Sequence, residues 1–221
     1  MMKVKKFMVC GTIMALLISS LGMGATASDG PQKEVATKEL AYMDLADEQN
    51  ENLKAAILEA RNTIIYSESW CADDMDAFVY DTATGVREDI PKFHDIFPED
   101  WDLPIREVDT KRLGVAGTDS FDDLEVYLKY PSATSLTEPF KTISPEYYIQ
   151  YWVGANSIPG DSWNFGVTDM TDGSDRLSKT ELTPTQIISF SVNTWTTYGL
   201  RASTFSTEGN AYLRGGAGYG G

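Results

Sequence analysis

The side chains best suited to binding a metal ion lie in one acidic turn of the second half of the chain. The turn places the carboxylates of Asp169, Asp172 and Asp175 around a glycine. Hard cations such as Ca²⁺ take oxygen ligands from loops of this kind. The turn lacks the acidic spacing and the distal glutamate of an EF-hand, so a solvated acidic turn is the alternative. The sequence therefore predicts no cofactor other than, as a candidate, calcium.

Histidine and cysteine chemistry is sparsely represented. His94 is the only histidine, so zinc would need carboxylates for most of its ligands. Cys71 is the only cysteine outside the first 27 residues. Acidic neighbours such as Asp73 and Asp74 raise a thiol pKa and disfavour a nucleophile. We expect Cys71 to pack as a small apolar residue, and a Cys71-linked dimer is the alternative to a monomer.

Carboxylate chemistry is possible in principle, because a glycoside hydrolase needs only two acids at a defined separation. Six acids lie near Trp101 without any feature that selects a pair among them: Glu88, Asp89, Asp95, Glu99, Asp100 and Asp102. A small secreted hydrolase of glycan or cell wall is therefore the second functional hypothesis, and no catalytic residue is predicted.

Aromatic side chains are the strongest sign of a binding function. Tyrosine and tryptophan offer large contact areas with few rotatable bonds, which binding surfaces favour. Serines and threonines interleave with Trp195 and Tyr198, which favours a recognition surface over a core of the same rings. The predicted binding residues are Phe93, Phe97, Trp101, Trp152, Trp163, Trp195 and Tyr198.

Three of these aromatic residues belong to the segment Pro91–Pro104, which contains three prolines. Prolines at this frequency exclude a regular helix or a central strand. The segment either lies in a groove of its own domain or presents its aromatic rings outward as a recognition loop.

Composition and charge restrict the compartment and the partners. The chain has 221 residues, 42% hydrophobic and 23% charged, which is typical of a globular protein. Residues 1–27 combine three lysines, an apolar run and an A-x-A motif, the pattern of a secretory signal peptide. Without them the net charge falls from −15 to −18, which disfavours nucleic acid and anionic membranes. We expect a secreted protein that neither binds nucleic acid nor inserts into a membrane.

The elements that position these residues are one helix followed by strands. Residues 28–43 predict a flexible segment, and apolar residues at helical spacing predict one amphipathic helix over 44–62. An Asp81–Gly85 turn joins two strands as a hairpin. Six to eight strands rich in β-branched and aromatic residues are expected among 63–66, 77–80, 86–90, 122–130, 147–153, 163–167, 187–195, 200–205 and 211–214.

This order of elements predicts an α+β fold. Helical crossovers are missing, so the sheet should be mostly antiparallel and twisted, with the helix packed on one face. A single domain is expected over 44–214, followed by a flexible glycine-rich tail over 215–221.

Four segments carry a resemblance to known proteins: 64–70, the D-x-x-T-G turn at 81–85, 91–98 and 101–104. Together they resemble small secreted proteins of host-associated Gram-positive bacteria, which include immunoglobulin-binding, superantigen-like proteins. The resemblance implies a binding role without catalytic residues, with an immunoglobulin variable domain as the candidate partner. The leading hypothesis is a secreted, non-enzymatic protein that binds an extracellular protein through an aromatic-rich surface.

Overall fold

A computed structural model describes residues 31–45, 50–108, 124–128, 134–136, 139–143, 148–152, 162–204 and 211–216. Contacts divide the chain into two compact units, 1–65 and 66–221, rather than the single domain expected over 44–214. The predicted signal peptide lies outside the described residues. Within them, no helix is long and apolar enough to span a membrane.

The first unit contains helices α1 (Pro31–Ala41) and α2 (Glu51–Ile65). The Asn50 side chain caps α2 by accepting the Asn52 N–H at 3.0 Å. The predicted long helix over 44–62 therefore begins seven residues later than expected. It also continues to Ile65, through residues expected to begin a strand. The Thr63 hydroxyl is accommodated in the helix by donating to the Glu59 carbonyl at 2.9 Å.

Helix α1 replaces most of the flexible segment expected over 28–43. Arg61 of α2 is buried, and its guanidinium donates to the carbonyls of Ala41 at 2.9 Å and Met43 at 3.0 Å. Ala41 is the last residue of α1 and Met43 lies two residues beyond it, where carbonyl groups have no N–H partner within the helix. The Arg61 side chain therefore caps the C-terminal end of α1. The contact between the two helices is thus partly polar, which the apolar periodicity of α2 could not indicate.

The second unit contains twelve described strands and one short helix, α3 (Phe93–Ile96). The strands are β1 (Trp70–Cys71), β2 (Ala77–Asp81), β3 (Val86–Asp89), β4 (Leu124–Leu128), β5 (Thr134–Leu136), β6 (Phe140–Lys141), β7 (Tyr148–Trp152), β8 (Trp163–Asp169), β9 (Asp175–Leu182), β10 (Gln186–Ser191), β11 (Thr197–Thr204) and β12 (Ala211–Gly216). Every described strand pair is antiparallel.

These strands form two six-stranded sheets instead of the single sheet expected. Sheet A has the order β1-β9-β8-β11-β5, with β6 also paired to β11, and sheet B has the order β3-β2-β10-β7-β12-β4. The sheets share one core: Tyr151 of sheet B stacks on Phe165 of sheet A at 4.8 Å, and Phe165 meets Phe190 of sheet B at 5.9 Å. The arrangement is a β-sandwich, in which each sheet buries the aromatic face of the other.

The mixture of helices and antiparallel sheets confirms the α+β class. Packing of the long helix on a sheet stays a prediction. At the C-terminal end, Gly215 and Gly216 belong to β12 and pair with Tyr151 and Gln150 of β7. The sequence did not predict this pairing, which needs no side chain. The flexible tail over 215–221 stays a prediction, and residues 217–221 lie outside the described part.

Candidate functional site

Most of the predicted binding residues are buried. Within Pro91–Pro104, Phe93 packs against Trp70 at 5.1 Å and against Phe97 at 4.8 Å, and Phe97 stacks on Trp101 at 5.7 Å. All four rings are at most 4% exposed. The segment thus lies against its own unit, because aromatic stacking removes its rings from water. Of the two alternatives for this segment, the structure shows the one in which it lies against its own domain, so Phe93, Phe97 and Trp101 are not on the surface.

Two further predicted residues belong to the core of the sandwich. Trp163 and Tyr198 are each 1% exposed, and the Tyr198 hydroxyl accepts the Asn193 N–H at 3.0 Å. Neither can form part of an exposed aromatic face. Trp152 ends β7, and its side chain lies outside what the structure describes.

Trp195 is the predicted residue that the structure leaves accessible, at 64% exposure. It lies between β10 and β11 with a φ of +66°, which is uncommon for a residue other than glycine. Its N–H donates to the Thr142 carbonyl at 2.9 Å, next to Ile143, which is 40% exposed. We call Trp195 and Ile143 together the Trp195 apex.

The three calcium candidates do not converge. Asp169 accepts the Thr171 N–H and Asp172 accepts the Ser174 N–H, each at 2.8 Å, so both carboxylates stabilise their own turn. Asp175 is fully buried and directed at two arginines. Across the described ranges, no three side chains of metal-ligating type come together.

Asp175 is the centre of a buried ion cluster, which we define as Asp175, Arg106, Arg201, Tyr66 and Thr168. One carboxylate oxygen accepts the Tyr66 hydroxyl at 2.5 Å and Arg106 Nε at 2.6 Å. The other accepts the Thr168 hydroxyl and Arg201 Nη2, both at 2.7 Å. Four bonds fill the acceptor positions of a carboxylate, and this is why Asp175 is not free to bind calcium.

Strand alternation places this cluster on the face of sheet A that points away from the sandwich core. Phe165 and Val167 of β8 are in the core, so Gly166 and Thr168 face the opposite side. Arg201 of β11 is the cross-strand partner of Gly166. A Cβ at Gly166 would lie 2.8 Å from Arg201 Nη2, so glycine leaves the space in which the guanidinium lies over β8.

The acidic turn positions the second arginine. The Arg106 N–H donates to the Gly173 carbonyl at 2.9 Å, and the Asp175 N–H donates to the Pro104 carbonyl at 2.8 Å. Gly173 has a φ of +80°, and a Cβ there would lie 2.2 Å from the Arg106 carbonyl oxygen. The turn predicted to hold calcium therefore holds the main chain of Arg106 against β9.

Electrostatics give the cluster one excess positive charge. Burial, followed by the charge of Asp175, raises the pKa of Tyr66 well above its usual range, so the phenol stays neutral. Burial lowers the pKa of the Arg106 guanidinium, but its hydrogen bond to Asp175 outweighs that effect and the net shift is upward. Burial lowers the pKa of Arg201, against the attraction of Asp175, but arginine retains its proton in proteins. Two guanidiniums face one carboxylate.

A cavity of about 190 Å³ adjoins the cluster. Its polar lining among the described residues comes from Tyr66, Arg106, Asn164, Ser178, Arg201 and Ser203. Phe165 and Gly166 of β8 and Ala202 of β11 also line it. None of the described lining residues carries a carboxylate. The described lining can donate hydrogen bonds to an anion.

Sequence reasoning missed Tyr66, Arg106 and Arg201, because they are far apart in the chain and lie on different elements. The one local signal was Gly166 inside a strand, since an interior glycine often marks the close approach of another group.

Cys71 is fully buried, and its thiol donates to the Met75 carbonyl at 3.1 Å. Burial raises the pKa of this thiol to about 11. The expectation of a small packed residue is confirmed. The alternative of a Cys71-linked dimer stays a prediction, and it would require the buried thiol to become exposed first.

His94 forms a separate ionic contact on the surface. Its Nδ1 lies 2.5 Å from Asp73 Oδ2, and its Nε2 lies 3.2 Å from the Trp101 carbonyl oxygen. Only the imidazolium can donate to both acceptors. The hydrogen bond to Asp73 accordingly raises the pKa of His94. Burial alone would raise the pKa of Asp73, but its hydrogen bonds to His94 lower it overall.

Replacing this histidine, His94→Gln, should destabilise the protein in a pH-dependent manner. A raised histidine pKa contributes stability that is complete below the unfolded value of about 6.5 and is lost as pH rises through the folded value. A lowered aspartate pKa contributes stability above about 3.9 that is lost on further acidification. In thermal melts, the melting temperature of the wild type should therefore exceed that of His94→Gln most between about pH 3.9 and 6.5. The difference in melting temperature should be smaller at pH 9. A difference independent of pH would contradict the ionic contact.

The chain matches no protein-family model, and neither the curated proteins nor the solved structures include a detectable relative. A functional assignment therefore depends on the apex, the ion cluster and its cavity.

Proposed function

We propose that the protein is a secreted, non-enzymatic binding protein that contacts an extracellular protein through the Trp195 apex. The observation that carries the proposal is the 64% exposure of Trp195 at a φ of +66°. A large apolar ring in water and a left-handed backbone each cost free energy, the latter on the order of 1–3 kcal/mol. Both costs are offset if the ring becomes buried on a partner.

The geometry of the apex suits a contact residue. The Trp195 N–H is fixed to the Thr142 carbonyl at 2.9 Å, so its main chain loses little freedom on binding. The neighbouring Ile143 adds apolar surface. Tryptophan is among the residues most often found at the energetic centre of protein interfaces. The apex replaces the broad aromatic face that the sequence predicted.

Pairing of a partner strand at the β3 edge is not part of this proposal. β3 ends sheet B, and all four of its residues are exposed. They include Arg87, Glu88 and Asp89, and charges on an edge strand discourage the addition of another strand.

The candidate partner is an immunoglobulin variable domain, on the basis of the resemblance in the sequence. The alternative of a hydrolase gains no support from the cavity, whose described lining lacks carboxylates. Biolayer interferometry with polyclonal Fab and Fc fragments tests the partner, and we expect binding of Fab alone. If Fab does not bind, and serum and mucosal secretions yield no stoichiometric partner, the proposed function is wrong.

Trp195→Gly separates the two roles of the apex residue. We expect at least a tenfold loss of affinity for Fab, together with an increase in stability of about 1 kcal/mol, because glycine adopts a positive φ without strain. Glu181→Gly is the matched control, since Glu181 is exposed and has a φ of +56°. It should give a similar increase in stability, measured by urea unfolding, with unchanged affinity. Equal affinities of the two variants would contradict a contact role for Trp195.

A further inference from the structure

We propose that the cavity beside the buried ion cluster is a binding site for a small, hydroxylated carboxylate of about the size of one acidic sugar. This site is separate from the Trp195 apex. Three observations support it: unused hydrogen-bond donors of the arginines, the charge of the cluster and the chemistry of the cavity lining.

The guanidiniums retain hydrogen-bond capacity beyond the cluster. Each has five N–H groups. Among the described residues, Arg106 donates one N–H to Asp175 and its guanidinium also lies over the Tyr66 ring, 4.6 Å from the ring centroid. Arg201 donates two N–H groups, to Thr168 and to Asp175. Both arginines also line the cavity, and the planar fork of a guanidinium matches the two oxygens of a carboxylate.

Charge favours a carboxylate over a phosphate. The cluster holds two guanidiniums and one carboxylate, so the positive groups within it outnumber the negative ones by one. A ligand carboxylate supplies a single negative charge, whereas a phosphate group carries about −1.5 to −2 at pH 7. The chain as a whole has a net charge of −15, which makes an excess positive charge at a partly buried point unusual for this molecule.

The remaining lining favours a polar ligand body. Asn164, Ser178 and Ser203 provide an amide and two hydroxyls, and the aromatic residues Tyr66 and Phe165 add further lining. A volume of about 190 Å³ is below the ~300–1,000 Å³ typical of sites for drug-sized ligands. The site therefore fits one small molecule or the terminal residue of a longer glycan.

A purely structural ion cluster is the competing explanation, and two features disfavour it. One guanidinium is enough to balance the single charge of Asp175, so charge balance within the cluster does not require the second one. The Arg106 side chain is also 38% exposed, which gives an approach to these groups from solvent.

Isothermal titration calorimetry with D-glucuronate, D-glucose and inorganic phosphate tests this assignment. We expect glucuronate to bind and to raise the melting temperature, with glucose inactive and phosphate weaker. Binding should weaken as the salt concentration rises, since it depends on charge. No glucuronate binding at millimolar concentration, or tighter binding of phosphate, would overturn the proposal.

Two variants locate the site. Ser203→Leu fills the cavity without altering any bond of the ion cluster, and Arg106→Gln removes one guanidinium. Each should raise the dissociation constant of glucuronate at least tenfold, and Ser203→Leu keeps the test valid if Arg106→Gln fails to fold. Trp195→Gly should leave glucuronate affinity unchanged, which separates this site from the proposed protein interface. Wild-type affinity in Ser203→Leu would overturn the assignment.

Discussion

Asp175→Asn is expected to destabilise the β-sandwich by about 3–5 kcal/mol, the usual cost of leaving a buried charge without its partner. The change keeps the shape of the side chain, but it leaves Arg106 and Arg201 without a counter-charge in a site where Asp175 is 0% exposed. It also replaces one carboxylate oxygen, which accepts hydrogen bonds, with an amide NH₂ group, which donates them. Thermal melts should show a decrease in melting temperature of about 10 °C for a protein of this size.

Asp172→Asn is the matched control for the charge. Asp172 is exposed in the same turn, and asparagine keeps the oxygen that accepts the Ser174 N–H. Its effect should remain within about 0.5 kcal/mol. The double variant Asp175→Asn/Arg106→Gln should recover part of the loss, because it removes one of the unpaired charges. Equal destabilisation by both asparagine variants would show that the charge of Asp175 is unimportant.

Gly173→Ala is expected to have the second large effect, a loss of about 2–5 kcal/mol. A left-handed φ costs a non-glycine residue about 1–2 kcal/mol, and forcing a methyl group into a filled space adds about 1–3 kcal/mol. The second contribution arises because the new Cβ would lie 2.2 Å from the Arg106 carbonyl oxygen. Since Arg106 must shift, affinity for glucuronate should fall as well.

Gly85→Ala separates these two contributions. Gly85 has a φ of +71°, but the nearest atom to a new Cβ is the Tyr80 hydroxyl at 3.8 Å. This variant should therefore lose only the backbone contribution, about 1–2 kcal/mol, and should keep its affinity for glucuronate. Urea unfolding measures both variants. Equal losses would contradict the close approach of Arg106 to the turn.

Local patterns predicted several elements correctly. The alternation in β2 and the Asp81–Gly85 turn follow from near neighbours, and the turn has the predicted glycine at positive φ. The polar strand β9 (Asp175–Leu182) was missed. Its sequence, DRLSKTEL, lacks a regular alternation of apolar and polar residues. Some of its polar residues are buried, because they belong to the ion cluster and to the lining of the cavity.

The binding residues show the limit of pattern reading. Trp163 and Trp195 look alike in sequence, both lying in segments of mixed aromatic and polar residues. Trp163 is 1% exposed and Trp195 is 64% exposed. The difference arises from the second sheet, which covers Trp163, and from the turn between β10 and β11, which holds Trp195 outside it.

The sequence by itself determined the α+β class with antiparallel sheets, and the hairpin of β2 and β3, whose turn is stabilised locally. The tertiary structure decided which aromatic rings are buried, and it brought Tyr66, Arg106 and Arg201 to Asp175. The physical reason is that periodicity and turn chemistry act over a few residues. The ion cluster instead requires three distant segments to exclude water around one carboxylate, and only the packed fold provides this.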